Sequence, residues 1–72
     1  MIKCNLAEYL EEAGMNVSDF CKEIDISRTY YYELIKGEKM PTIKLCYSIK
    51  FILQDELNRD IPIEKIWEYK FY

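Results

Sequence analysis

The apolar residues of this chain recur three and four positions apart in five successive segments, a spacing typical of helices that bury one face. Residues that commonly begin or end helices separate these segments. The pattern predicts helices at about residues 5–13, 17–24, 28–36 and 43–57, and a fifth after Pro62. It predicts no strand. The expected fold class is therefore all-α, with a single domain over residues 1–72 that ends in a C-terminal tail at 68–72.

The helix starts and the buried faces follow from the same pattern. Four polar residues stand where helices begin and are predicted to be N-caps, namely Asn5, Asn16, Ser27 and Thr42. Within the third helix, Tyr31 and Leu34 are expected to face the core, while the neighbouring tyrosines point elsewhere. The fourth helix is the longest, and its predicted buried stripe comprises Ile43, Cys46, Ile49, Leu53 and Leu57.

Length and composition narrow the class of protein. A 72-residue chain buries only about 60% of the surface that its unfolded form exposes, so we expect marginal stability and favour a dimer. Three cysteines without CxxC spacing and without any histidine predict reduced structural thiols, no metal site and no cofactor. No apolar run is long enough to cross a membrane, and the first residues lack the apolar core of a secretory signal. We therefore expect a cytoplasmic protein.

The charge distribution is uneven. The net charge is −3, which is not the basic balance typical of nucleic-acid binders. Residues 1–25 carry two basic and six acidic side chains, residues 26–50 carry five and two, and residues 51–72 carry three and five. The basic middle third permits a local DNA contact, and the acidic flanks predict modest non-specific affinity.

Residues 17–37 place two short helices on either side of a brief turn, which is the arrangement of a helix-turn-helix. The segment resembles the Cro/phage-repressor (XRE-type) family in an ordered set of positions: Phe20, Cys21, Ile24, Ile26, Ser27, Tyr31, Leu34, Gly37, Pro41 and Thr42. The resemblance extends over about residues 6–53. It implies a five-helix, lambda-repressor-like DNA-binding domain. The chain departs from the family pattern at Asp25, where glycine is usual, and over residues 54–60, which predict an extended fourth helix.

The resemblance also implies which residues contact DNA. The start of the third helix would enter the major groove, where base edges present distinct donors and acceptors. Arg28 is the strongest candidate because a guanidinium bonds guanine through two hydrogen bonds. The expected base-reading residues are Ser27, Arg28, Thr29 and Tyr32, and the expected phosphate contacts are Asn16, Tyr30, Lys36, Lys39 and Lys44. For each of these side chains, the alternative is an ordinary solvated surface position.

Two functions remain open at this point. The first is a sequence-specific transcriptional regulator, of the repressor type, that binds double-stranded DNA as a homodimer. The second is a protein-interaction module, such as an antitoxin-like or anti-repressor partner, that uses the acidic flanks and the aromatic residues 67–72. Catalysis is not expected, because the sequence has no histidine, no nucleophile motif and no phosphate-binding glycine loop.

Overall fold

The computed structural model describes residues 2–69, which form five helices and two short strands. In chain order the elements are β1 (Ile2–Cys4), α1 (Leu6–Ala13), α2 (Val17–Glu23), α3 (Arg28–Ile35), α4 (Ile43–Leu57), α5 (Ile63–Ile66) and β2 (Trp67–Tyr69). The predicted bounds of the first four helices are confirmed to within one residue. The extension of the fourth helix is confirmed as well, since α4 continues to Leu57.

The prediction that the chain contains no strand is wrong. β1 and β2 pair antiparallel, with Ile2 opposite Tyr69 and Cys4 opposite Trp67. Each strand has only three residues and comes from an opposite end of the described chain, so no local alternation of apolar and polar residues signals it. Trp67 is buried and is the first residue of β2. Residues 70–72 of the predicted tail lie outside the described residues.

One core joins all five helices to the strands. Its buried apolar side chains are Leu6, Leu10, Phe20, Cys21, Tyr31, Leu34, Cys46, Ile49, Leu53, Ile61, Ile66 and Trp67. The predicted stripe of α4 is confirmed at Cys46, Ile49 and Leu53, but it is wrong at Ile43, which is 77% exposed. Ile43 lies one turn before Cys46, at the edge of the buried face of α4, where no element within residues 2–69 covers it.

Three of the four predicted N-caps are confirmed. The side-chain oxygens of Asn16, Ser27 and Thr42 accept backbone N–H bonds from the first turns of α2, α3 and α4. The cap at Asn5 is wrong, because its side chain is turned toward the other end of the chain. Its amide Nδ2 donates to the Lys65 carbonyl at 2.9 Å and to the Glu68 carboxylate at 3.0 Å. Asn5 therefore ties the start of α1 to α5 and β2.

The cysteines are free thiols, and burial raises the pKa of Cys4, Cys21 and Cys46. Within residues 2–69 no group of acidic or cysteine side chains is arranged to hold a metal ion. No helix in the same range is both long and apolar enough to span a bilayer.

Gly37, which follows α3, meets β1 closely. Its φ is +76°, and a Cβ at this position would lie 3.1 Å from the Ile2 carbonyl oxygen. Gly14, at the end of α1, has a similar φ of +68° with no atom within 4 Å of a built Cβ. We expect Gly37→Ala to lower the free energy of unfolding by about 2–3 kcal/mol, compared with about 1 kcal/mol for Gly14→Ala, which incurs only the backbone strain. Urea unfolding of the two variants measures the difference, and equal losses would contradict a close contact between Gly37 and β1.

Candidate nucleic-acid interface

The packing of α2 against α3 fixes the orientation of α3. Phe20 is fully buried, and its ring meets that of Tyr31 edge to face, with centroids 6.1 Å apart. Cys21 and Leu34 are buried beside this pair, and a small side chain at Cys21 suits a close helix crossing. Burial also raises the pKa of Tyr31 to about 12, so its hydroxyl stays protonated in the core. The predicted inward positions, Tyr31 and Leu34, are confirmed.

The turn between the two helices depends on a left-handed residue. Asp25 has a φ of 58°, at the position where the resembling family has glycine. The N–H of Ile26 donates to the Cys21 carbonyl at 2.9 Å, which closes the end of α2. Asp adopts this conformation more readily than most residues, so the turn keeps its geometry without glycine.

The N-terminus of α3 lies at the protein surface. Ser27 Oγ accepts the N–H of Tyr30 at 3.0 Å and so satisfies one donor of the first turn. Helix geometry leaves the N–H groups of Arg28 and Thr29 at this end without an intrahelical acceptor. Such a helix start, with its partial positive charge, favours an anionic group such as a phosphate.

Three side chains of α3 and that of Lys36, the residue that ends the helix, share one outward face. Because each helical residue is rotated by about 100° from the previous one, Arg28, Thr29, Tyr32 and Lys36 all fall within an arc of about 100°. All four are exposed, whereas Leu34 lies on the other side of the helix. The Tyr32 ring also meets the buried Tyr31 ring edge to face, with centroids 5.2 Å apart. We call these four residues the α3 outer face. It offers a guanidinium, two hydroxyls and an ammonium on one rigid helix.

Ion pairs separate the basic residues into two groups. Lys39 lies 3.6 Å from the Glu33 carboxylate, and Lys50 bonds to Gln54, Asp60 and the Ile61 carbonyl. Within residues 2–69, Arg28, Lys36 and Lys44 have no such ion pair. The sequence did not indicate the pairing of Lys39, because Gly37 folds the chain back between Lys39 and Glu33.

The remaining predicted site residues lie elsewhere. Asn16 is exposed at the start of α2, and Lys44 is exposed on the first turn of α4. Tyr30 is half-buried and lies outside the arc of the α3 outer face. Their phosphate contacts remain predictions.

Two short packed helices, a tight turn and a capped helix with an exposed polar face define a DNA-binding regulator of the helix-turn-helix class. Residues 6–49 match the model of the helix-turn-helix family, and the chain belongs to this family in its Cro/repressor (XRE) type. The match contains α1–α3 and the first half of α4. The family is one of DNA-binding rather than catalytic domains. No curated protein and no solved structure matches the chain significantly.

Proposed function

We propose that this protein is a sequence-specific transcriptional regulator that inserts the start of α3 into the major groove of double-stranded DNA and acts as a homodimer, in a lambda-repressor-like arrangement. The observation that carries the proposal is the α3 outer face. Arg28 and its neighbours on this face are exposed, lack ion pairs within residues 2–69, and stand on a helix anchored from beneath by Tyr31 and Leu34.

The chemistry of each side chain assigns it a role. Arg28 reads guanine through its two parallel N–H donors, and Thr29 contacts a thymine methyl or a base-edge acceptor. Ser27 and Tyr32 complete the base-reading set at either end of the first turn. The α3 N-terminus and Lys36 bind phosphate, with Asn16, Tyr30 and Lys39 as further backbone contacts.

The acidic net charge of −3 shapes how the protein selects its site. Non-specific DNA binding comes almost wholly from attraction between cationic side chains and phosphates. With few unpaired cations near α3 and carboxylates elsewhere, that attraction is weak. Discrimination between sites then depends mainly on base contacts rather than on the backbone.

Selection from a pool of random DNA duplexes tests the proposal directly. We expect enrichment of a two-fold symmetric motif that contains guanine in each half-site. Fluorescence anisotropy with the selected duplex and with a scrambled duplex, at several salt concentrations, then gives the specificity ratio. If no duplex binds better than scrambled DNA at low salt, the proposal is wrong.

The acidic flanks favour protein interaction as the second candidate. A protein-binding module on this scaffold retains a stoichiometric protein partner from its own cells and shows no selected DNA motif. The random-duplex selection and a pull-down with the full chain therefore separate the two functions.

Lys36 offers a test of the phosphate contacts. Replacing Lys36 with Gln is expected to reduce the slope of log affinity against log salt by about one unit per protomer, since one fewer counterion is released. Lys65→Gln on α5 makes the same change of charge far along the chain and serves as the matched control. Equal slopes for Lys36→Gln and Lys65→Gln would show that Lys36 does not meet a phosphate.

A further inference from the structure

The outward side of α4 carries three exposed apolar side chains in a row. Ile43, Tyr47 and Phe51 are 77%, 45% and 57% exposed and follow one another at intervals of four residues. The rings of Tyr47 and Phe51 lie 6.0 Å apart, and Ile43 stands one turn before Tyr47. We call these residues the α4 outer stripe. The opposite side of α4 packs into the core, whereas nothing within residues 2–69 covers the α4 outer stripe.

The polar residues beside the stripe have a charge arrangement that is complementary to that of a second copy of this chain. Lys44, Ser48 and Asp55 project within about 40° of one another along its edge, by helical geometry. Lys44 stands at one end of this row and Asp55 at the other, and neither has an ion pair within residues 2–69. A row with a cation at one end and an anion at the other is complementary to itself when the second helix is antiparallel.

Symmetry fixes the contacts of such a pair. In a two-fold interface the same patch serves both copies, so each contact occurs twice. The pairs Lys44–Asp55 and Ser48–Phe51 have the same midpoint in the sequence. An antiparallel α4–α4 contact about that midpoint therefore places each Lys44 against the second copy's Asp55, and each Phe51 ring against a small Ser48.

A second exposed apolar surface within the described residues is a poorer candidate for self-association. An open groove of about 660 Å³ is lined by Ile2, Met40, Ile63, Trp67 and Tyr69, together with Glu64 and Glu68. Its charged lining residues are both carboxylates. Two copies joined through this groove would bring like charges together, which is unfavourable.

We infer that the α4 outer stripe is the surface through which two copies of this chain dimerise, with α4 antiparallel to its symmetry mate. The role of this dimer rests on the proposed function, since a dimer would present two α3 helices to a two-fold DNA site. The interface itself does not depend on DNA binding. It assigns Lys44 to the dimer contact rather than to phosphate. One helix pair buries less than the roughly 800 Å² per partner of a standard interface, so the dissociation constant is expected in the micromolar range.

Sedimentation equilibrium of the full chain without DNA tests the interface. We expect Phe51→Glu to raise the dimer dissociation constant by about a hundredfold or more, because two buried rings are lost per dimer. Met40→Glu places the same charge on a comparably exposed apolar residue outside the stripe and is expected to leave the dimer intact. Circular dichroism checks that both variants keep their helices, as expected at exposed positions.

Reversing the charges of Lys44 and Asp55 gives a more specific test of the interface. Lys44→Asp and Asp55→Lys each place like charges opposite one another and are expected to weaken the dimer about tenfold or more, whereas the double variant restores opposite pairs and recovers it. A wild-type chain that stays monomeric at about 1 mM overturns the inference. So does a dimer that tolerates Phe51→Glu, or one that is lost with Met40→Glu instead.

Failure of this inference and failure of the proposed function give different results. A chain that dimerises through α4 and selects no DNA refutes the DNA-reading role and leaves the interface standing. A chain that binds its selected duplex while Phe51→Glu changes neither self-association nor the stoichiometry on DNA refutes the interface and leaves the DNA-reading role standing.

Discussion

Replacing Phe20 with Ala is expected to lower the free energy of unfolding by about 3–5 kcal/mol. Phe20 is fully buried where α2 crosses α3, and its ring meets Tyr31 edge to face. The substitution removes that aromatic contact and leaves a cavity between α2 and α3. These two short helices cannot readily shift to fill it. Domains are stable by only about 5–15 kcal/mol, and a 72-residue chain lies at the low end. The variant is therefore expected to be substantially unfolded.

Urea unfolding followed by circular dichroism measures this loss, with two controls. Phe20→Leu keeps much of the apolar volume and is expected to lose clearly less stability. Met40→Ala truncates an exposed apolar side chain and is expected to change stability by less than about 0.5 kcal/mol. If Phe20→Ala and Met40→Ala were equally mild, the Phe20–Tyr31 contact would not be what holds α2 against α3.

The helices of this protein could be predicted from the sequence because their signals are local. The apolar spacing and the caps at Asn16, Ser27 and Thr42 all lie within a few residues of the helix starts that they mark. The strands could not be predicted in this way. Their pairing joins residues more than 60 positions apart, and only the closed fold brings them together. The hydrogen bonds of the Asn5 side chain could not be predicted for the same reason, because its partners Lys65 and Glu68 come from the far end of the chain.

The candidate site was predictable to the extent that it depends on one helix. Spacing alone places Arg28, Thr29 and Tyr32 on the side of α3 away from Leu34, and the structure has the first three exposed and Leu34 buried. The spacing of residues in the sequence did not predict the ion pair between Lys39 and Glu33, because that pair depends on the turn at Gly37. The exposure of Ile43 was also missed, since the apolar pattern of α4 contains two stripes and only packing decides which one is covered.

Both surfaces of functional interest are held by the same core. Tyr31 and Leu34 fix α3 from beneath, and Ile49 and Leu53 do the same for α4. Each outward face is thus presented on a helix that cannot rotate without opening the core. Substitutions of Arg28, Thr29 and Lys36 on the α3 outer face are consequently expected to change binding while leaving stability almost unaltered, which separates them from Phe20→Ala.

Arg28→Ala is expected to reduce affinity for the selected duplex by about thirtyfold at least. A bidentate contact between arginine and guanine contributes about 1–3 kcal/mol of discrimination, and a two-fold dimer makes it twice. Arg28 is exposed and has no ion pair within residues 2–69, so its loss leaves no buried group unsatisfied and the fold intact. Anisotropy titrations with the selected and the scrambled duplex measure the effect, and the specific complex is expected to lose far more affinity than the non-specific one.

A lysine at the same position distinguishes base reading from simple attraction to phosphate. Arg28→Lys keeps the charge but lacks the planar pair of donors, so it is expected to recover non-specific binding without recovering specificity. Duplexes in which the contacted guanine is replaced complete a double-mutant cycle: the wild-type protein loses affinity on the altered site, and Arg28→Ala has little left to lose there. If Arg28→Lys binds the selected duplex as tightly as the wild type does, and if the cycle shows no coupling between Arg28 and guanine, then Arg28 contacts the DNA backbone, and sequence must be read by another residue of the α3 outer face.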